Sequence, residues 1–307
     1  MSGRFLPTGV SGRSSGRVDS APARRLVRGS DPATALLHRV PAARAEQIIL
    51  GLSRVELDIV ASLARVRLAS GGQLAQLHFP ATASGARHAR RVLASLTARR
   101  VVARLERTIG GRRAGSAGYV YGLDVVGQRL VKPDGAFRRP WTPGQAFVAH
   151  AVAVTDCYVR LVELHRAGRV ELLDFTAEPA CWRSFAAGGG TRLTLKPDAY
   201  LRVANGAYED RWFLEVDRAT EDLGRIQRKA RLYGRYWQTG REAVFPRVLW
   251  LTTRPARRDA LHRALHRLPA NERQLFQVDL LSNFDAVLTA GPGAEPVAGT
   301  AAKGGEQ

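Results

Sequence analysis

Apolar positions recur every three and four residues in two separate parts of the chain, each time followed by shorter strand-like patterns. In the first part, Leu52, Val55, Ile59 and Leu63 form one helical stripe after Ser53, a residue suited to an N-cap. Ser70 opens a shorter stripe with Leu74 and Leu77, which stops near Pro80. Ser84 is placed to cap a third helix whose inner face is Ala86, Ala89, Leu93 and Leu96. Val101, Ala103 and Leu105 then alternate with Arg104 and Glu106, and a glycine-rich turn from Gly110 to Gly118 leads into a strand at Tyr119–Tyr121. Three helices followed by a β-hairpin predict a winged helix-turn-helix.

The second part opens with a long stripe through Phe147, Ala151, Val154, Tyr158 and Leu161. Strands are expected at Val170–Phe175, Leu193–Val203 and Arg211–Val216. Thr220 is a candidate cap for a helix burying Leu223, Ile226, Ala230, Tyr233 and Trp237. A strand at Val248–Leu251, a helix from Ala256 to Leu268 and a strand at Phe276–Leu280 complete the order α-β-β-β-α-β-α-β. The expected fold class is therefore α+β: an N-terminal winged helix-turn-helix at 46–132, then a restriction-endonuclease-like α/β domain with a small mixed sheet at 145–289. Lys132–Gly135 and Arg139–Gly144 read as the linker. Residues 1–45 and 290–307, biased to small residues and proline, read as a disordered basic arm and a disordered tail.

Charge adds a partner to this picture. The 307 residues carry a formal charge of +20 with a pI near 11.3. Only Lys132, Lys196, Lys229 and Lys303 are lysines, so arginine supplies nearly all of it. GC-rich coding explains arginine in place of lysine but not the shortage of acids, and the excess points to a polyanion, nucleic acid first. From Ala81 to Gly118 there are nine arginines and one acid, Glu106. Arg87, His88, Arg90 and Arg91 on the third helix, with Arg112 and Arg113 on the wing, are the candidate DNA-binding residues. The competing reading is a winged helix that binds protein, with the arginines only solvating it. Cys157 and Cys181 fit no zinc or disulfide spacing and suggest reduced thiols in a cytoplasmic protein. No apolar run reaches membrane-spanning length, and no membrane partner is expected.

Chemistry is suggested by Asp198 in Lys196-Pro197-Asp198-Ala199, by Glu215 and Asp217 closing the apolar run Trp212-Phe213-Leu214, and by Lys229 on the next helix. Phosphodiester cleavage assisted by a metal needs converging oxygen ligands and a cation near the phosphate. Asp198 and Glu215 are the candidate metal ligands, with Mg²⁺ as the candidate ion. Asp217 is expected to assist and Lys229 to stabilise the transition state, these four being the candidate catalytic residues. The plain alternative makes the carboxylates strand-end charges and pairs Lys229 with Asp217 or Glu221. Glu163 and His150, on the long helix, read as a solvent-facing acid and a core or capping histidine. His262 and His266 read as surface residues, and no phosphate-binding Gly-x-x-x-x-Gly-Lys loop occurs.

Pro197-Asp198-Ala199, the run Glu215-Val216-Asp217-Arg218-Ala219-Thr220-Glu221, Lys229 with Tyr233, and the winged-helix pattern together resemble the replication-relaxation family of bacterial plasmids and mobile elements, widespread in actinobacteria. The resemblance covers roughly residues 50–280. It implies a DNA-binding protein of a plasmid or integrative element acting in replication or transfer. Its second half is similar to the Pro-Asp…Asp/Glu-x-Lys nuclease superfamily, which implies a candidate metal-dependent nicking site; Asp217 stands where that pattern has lysine. The alternative is a non-catalytic DNA-binding regulator whose nuclease-like domain serves dimerisation or docking. Expected partners are double-stranded DNA, proteins of a replication or transfer complex, and a second copy of the chain.

Overall fold

A computed structural model describes residues 40–105, 118–133, 143–187, 191–219 and 221–290. The arm up to residue 39, the wing tip with Arg112 and Arg113, most of the linker (134–142), Thr220 and the tail from residue 291 lie outside these. Helix α1 (Ala42–Leu50) begins inside the segment read as arm and buries Ala45. Helix α2 (Arg54–Val66) starts where Ser53 predicts, in a capping box in which the Glu56 carboxylate accepts from Ser53 N at 2.9 Å. After strand β1 (Ala69–Ser70), the same device, Ser70 with Gln73, opens α3 (Gly71–His78). Helix α4 (Ala83–Ala98) is capped by Thr82, whose hydroxyl accepts from Gly85 N at 3.0 Å. The cap thus sits two residues before Ser84, and Gly85 joins Ala89, Leu93 and Leu96 on the buried face in place of the exposed Ala86.

Strands β2 (Val102–Arg104) and β3 (Val120–Leu123) pair antiparallel, and β1 adds to β3, giving the order β1-β3-β2. A short helix, α5 (Val125–Val131), follows from an Asp124 cap and buries Val126. Then comes α6 (Gln145–Arg166), whose buried face includes Ala151, Val154, Tyr158 and Leu161. Thr155 on α6 donates to Leu68 O at 2.6 Å, and Gln73 on α3 donates to Val152 O at 2.9 Å. These bonds fasten α6 to the preceding helices and the short strand.

The main sheet has five strands in the order β10-β9-β8-β7-β4. Here β4 spans Glu171–Ala177, β7 Ala199–Asn205, β8 Tyr208–Asp217, β9 Arg247–Thr252 and β10 Phe276–Leu280. The pairs β4–β7 and β7–β8 are antiparallel, while β8–β9 and β9–β10 are parallel, so the sheet is mixed. The expected strand 193–203 is in fact two. Strand β6 (Arg192–Leu195) pairs with β5 (Arg183–Ala186) in a separate ribbon, and β7 starts only at Ala199. Pro197 has no N–H to continue a ladder, which is why the break falls there.

Alternation along β8 and β9 sorts the two faces. Leu214, Val216, Leu249 and Leu251 join one apolar cluster with Ile59, Leu63, Val154 and Phe284, so a single cluster runs from the N-terminal helices to the sheet. Phe213, Val248 and Trp250 point the other way, onto α7 (Leu223–Trp237) and α8 (Pro255–Leu265) through Ile226, Tyr233 and Leu261. Helix α7 is capped by Asp222, which accepts from Arg225 N at 2.8 Å. Tyr236 is buried at its far end, whereas Leu223 is 37 % exposed. The short helices α9 (Ala270–Arg273) and α10 (Phe284–Thr289) flank β10.

The turn between α3 and α4 depends on Gly85: a Cβ there would lie 2.1 Å from Pro80 O. Gly85→Ala should therefore cost about 1–3 kcal/mol by overpacking, despite alanine's better helix propensity. Urea unfolding of the two proteins measures this, and equal midpoints would mean that the turn is not closed on itself.

Candidate functional site

Strand β7 meets β8 in register Ala199↔Leu214, which sets Asp198 and Glu215 side by side at the ends of two adjacent central strands. Both are buried, Glu215 to 2 % exposure. Alternation from Phe213 turns Glu215 toward α7, where two side chains one turn apart receive it. Lys229 Nζ contacts Glu215 Oε2 directly, and Tyr233 OH donates to Oε1 at 2.6 Å. Asp198 Oδ2 accepts from Val216 N at 2.7 Å. Its Oδ1 lies 3.2 Å from His150 Nε2 on α6 and 3.9 Å from Lys229 Nζ. Three of the four expected catalytic residues thus converge, joined by a histidine and a tyrosine.

Asp217 does not enter this group. It is two residues further along β8, where Arg257 Nε on α8 donates to its Oδ2 at 2.5 Å and Ala219 N to its Oδ1 at 2.9 Å. Arg257 also donates to Glu221 O at 2.6 Å, so it clamps the loop leaving β8. The acid beside the cluster is instead Glu178, whose N–H donates to Asp198 O at 2.9 Å and whose side chain lies 3.8 Å from Arg67. Glu163, His262 and His266 are exposed. Tyr233 has a readable signal, four residues after Lys229 on the same helix. His150 has none, standing 48 residues from Asp198 with no local pattern to link them.

The electrostatics follow from burial opposed by close cations. Burial alone would raise the Asp198 carboxyl, but Lys229 and then His150 outweigh it and hold the group below its ordinary value. For Glu215 burial dominates, reinforced by the Asp198 charge, and raises it in spite of Lys229. Burial works against the Lys229 ammonium, yet Glu215 and Asp198 keep it protonated beyond its usual range. His150 goes the same way: burial lowers it, and the Asp198 hydrogen bond and charge raise it further, to a net value above 6.5. Cys181, which donates from Sγ to Pro197 O at 3.2 Å, is pushed up to about 12 by burial and is an inert thiol.

Whether Mg²⁺ suits this set turns on its oxygens. All four carboxylate oxygens of Asp198 and Glu215 already face a donor: a backbone N–H, a phenol, an imidazole or the ammonium. Among the described residues, no three His, Cys, Asp or Glu side chains are grouped to hold a metal. So arranged, the residues do not fit a divalent cation. Lys229 and His150 are the more exposed members of the cluster, their side chains 25 % and 28 % exposed.

A second candidate surface lies on α4. Arg87, His88, Arg90 and Arg91 are all exposed, opposite the buried Ala89, Leu93 and Leu96. His88 rests edge-on against Phe79, with ring centroids 5.2 Å apart. None of the three arginines forms an ion pair among the described residues.

The sequence pattern of the replication-relaxation family matches residues 60–248, which takes in α4, the Asp198–Glu215 strands and all of α7. The chain belongs to the replication-relaxation family. No curated protein and no solved structure matches it. In this replication-relaxation protein, no described helix is long and apolar enough to cross a membrane.

The buried cluster makes two predictions. Lys229→Ala strands Glu215 without its cation and should cost roughly 3–5 kcal/mol, most of it recovered when Glu215→Gln is added. Chemical denaturation of the single and double variants tests this, and a loss under about 1 kcal/mol in the single variant would sink the argument. In metal-free buffer, NMR should find His150 titrating above 6.5 and falling in Asp198→Asn, where burial is left to act with less opposition. Because the folded value is the raised one, His150 stabilises the fold fully below its unfolded pKa, and that contribution is lost as pH rises through the folded value.

Proposed function

We propose that this replication-relaxation protein is a DNA-binding protein of a plasmid or integrative element, acting in replication or transfer. In this reading α2, α3 and α4 with β1–β3 are a winged helix-turn-helix, and α4 is the helix that meets duplex DNA. The observation that carries it is the exposed face of α4, with Arg87, Arg90 and Arg91 free of any acid among the described residues. Guanidinium groups left without a protein counter-charge suit phosphates and the acceptor edges of guanine. Replacing all three by alanine should weaken duplex binding and reduce its salt dependence by about 0.9 in log–log slope for each phosphate no longer neutralised. Identical affinity and slope over several salt concentrations would take α4 out of the interface.

The convergence of Lys229 on Asp198 and Glu215 favours a second reading, in which the α/β part is a nuclease-like domain that nicks the bound DNA. Lys229, arriving from the helix, would stand in for the strand lysine that Asp217 displaces. With one carboxyl held down and its neighbour raised, the pair has the split that acid–base work requires. Incubation of supercoiled plasmid with the protein, in EDTA and separately with Mg²⁺ or Mn²⁺, decides between the readings. Nicked circles that vanish in Asp198→Ala, with DNA affinity kept, would establish the nuclease. Intact plasmid with either metal would leave a DNA-binding regulator with a nuclease-like docking domain.

A further inference from the structure

Helix α7 carries a charge pattern that neither the buried cluster nor the α4 face uses. Between Leu223 and Trp237 it has five cations and no acid. Lys229 turns inward to Glu215 and Asp198, and Arg225 pairs with Glu221 at 3.2 Å. Arg228, Arg231 and Arg235 are exposed and form no ion pair among the described residues. Spaced i, i+3, i+7, they fall within about 60° of one another around the helix and make a row about 10 Å long.

The neighbouring acids do not neutralise this row. Asp222 feels the charge of Arg228 but is engaged as the N-cap, accepting from Arg225 N at 2.8 Å. Glu272 packs against Gly234, on the flank of the row. Like charges three and four residues apart repel and weaken a helix, and no acid among the described residues pairs with this row, which leaves it open to an external counter-charge. The aromatic residues of α7 offer it no stacking platform: Tyr233 and Tyr236 are buried, and Trp237 projects from the opposite side of the helix. Single strands are gripped by bases stacked on aromatic rings, whereas a straight row of guanidinium forks suits a phosphate backbone.

We propose that the outer face of α7 is a second DNA-binding surface, which holds the phosphates of duplex DNA without regard to base sequence. The proposal shares with the reading above the choice of DNA as partner, but not the surface. Fluorescence anisotropy of the full-length protein with a random-sequence duplex, over a series of salt concentrations, tests it in four proteins. These are the wild type, the α4 triple alanine variant, an Arg228→Ala, Arg231→Ala, Arg235→Ala variant, and the two sets combined. The α7 substitutions should lower the slope of log K against log salt by roughly 2–3 units, in the wild-type and α4-variant backgrounds alike. Lysines at the same three positions should retain most of the slope, and glutamines provide the same test should the alanine variant fail to fold. An unchanged slope in both backgrounds overturns the α7 surface. An effect seen with a single-stranded probe but absent with the duplex overturns it too. No effect from the α4 substitutions alone removes only the α4 interface, so the two readings fail separately.

Discussion

A carboxylate closing a buried central strand is the constraint from which this structure is organised. Glu215 is in the interior of the sheet, and a charge there is tolerated only with donors and a cation at hand. Helix α7 meets that demand with Lys229 and Tyr233, one turn apart, while Ile226 and Ala230 bury the rest of the same face. The docking of α7 on β8 is therefore both apolar and electrostatic. Next to it, Asp198 draws in His150 from α6 and Val216 N from its own neighbouring strand. Elements from both faces of the sheet thus end on one pair of carboxylates.

The same constraint divides the chain's charge. Several of its few acids are engaged inside or at the sheet end: Asp198 and Glu215 in the cluster, Asp217 on Arg257, and Glu178 between the cluster and Arg67. Arg87, Arg90 and Arg91 on α4 and Arg228, Arg231 and Arg235 on α7 are left outward without acidic partners among the described residues. Part of the net charge of +20 is in this sense localised, and both outward faces lie on helices whose opposite sides are committed to a core. That geometry suits the proposed binding of a polyanion, since a rigid helix fixes where each guanidinium stands.

Much of this is legible from residue patterns. The helix starts at Ser53 and Ser70 follow from local capping chemistry, and the mixture of helices with a mixed five-stranded sheet follows from the two apolar periods. The caps of α4 and α7 fall two residues from the expected ones because Thr82 competes with Ser84, and Asp222 with Thr220; all four are residue types that cap helices. The ribbon of β5 and β6 escapes a reading of pattern because four-residue strands leave too short an alternation to detect. Helices α1 and α5 are similarly short, and their apolar residues need the rest of the core to hold them.

For the site, local sequence determined the carriers: Pro197-Asp198, the apolar strand before Glu215, and a basic helix with Lys229 four residues before Tyr233. What it left open was which charges meet. Glu215 and Asp217 lie on the same side of one strand and look alike in sequence, yet one faces Lys229 and the other Arg257. The choice depends on how α7 and α8 dock on that face, and docking is set by packing between residues far apart in the chain. His150 is the plainest case, since only the packing of α6 against the sheet brings it 3.2 Å from Asp198. Capping and periodicity act over a few residues and can be read locally; the pairing of buried charges is a product of the assembled tertiary structure.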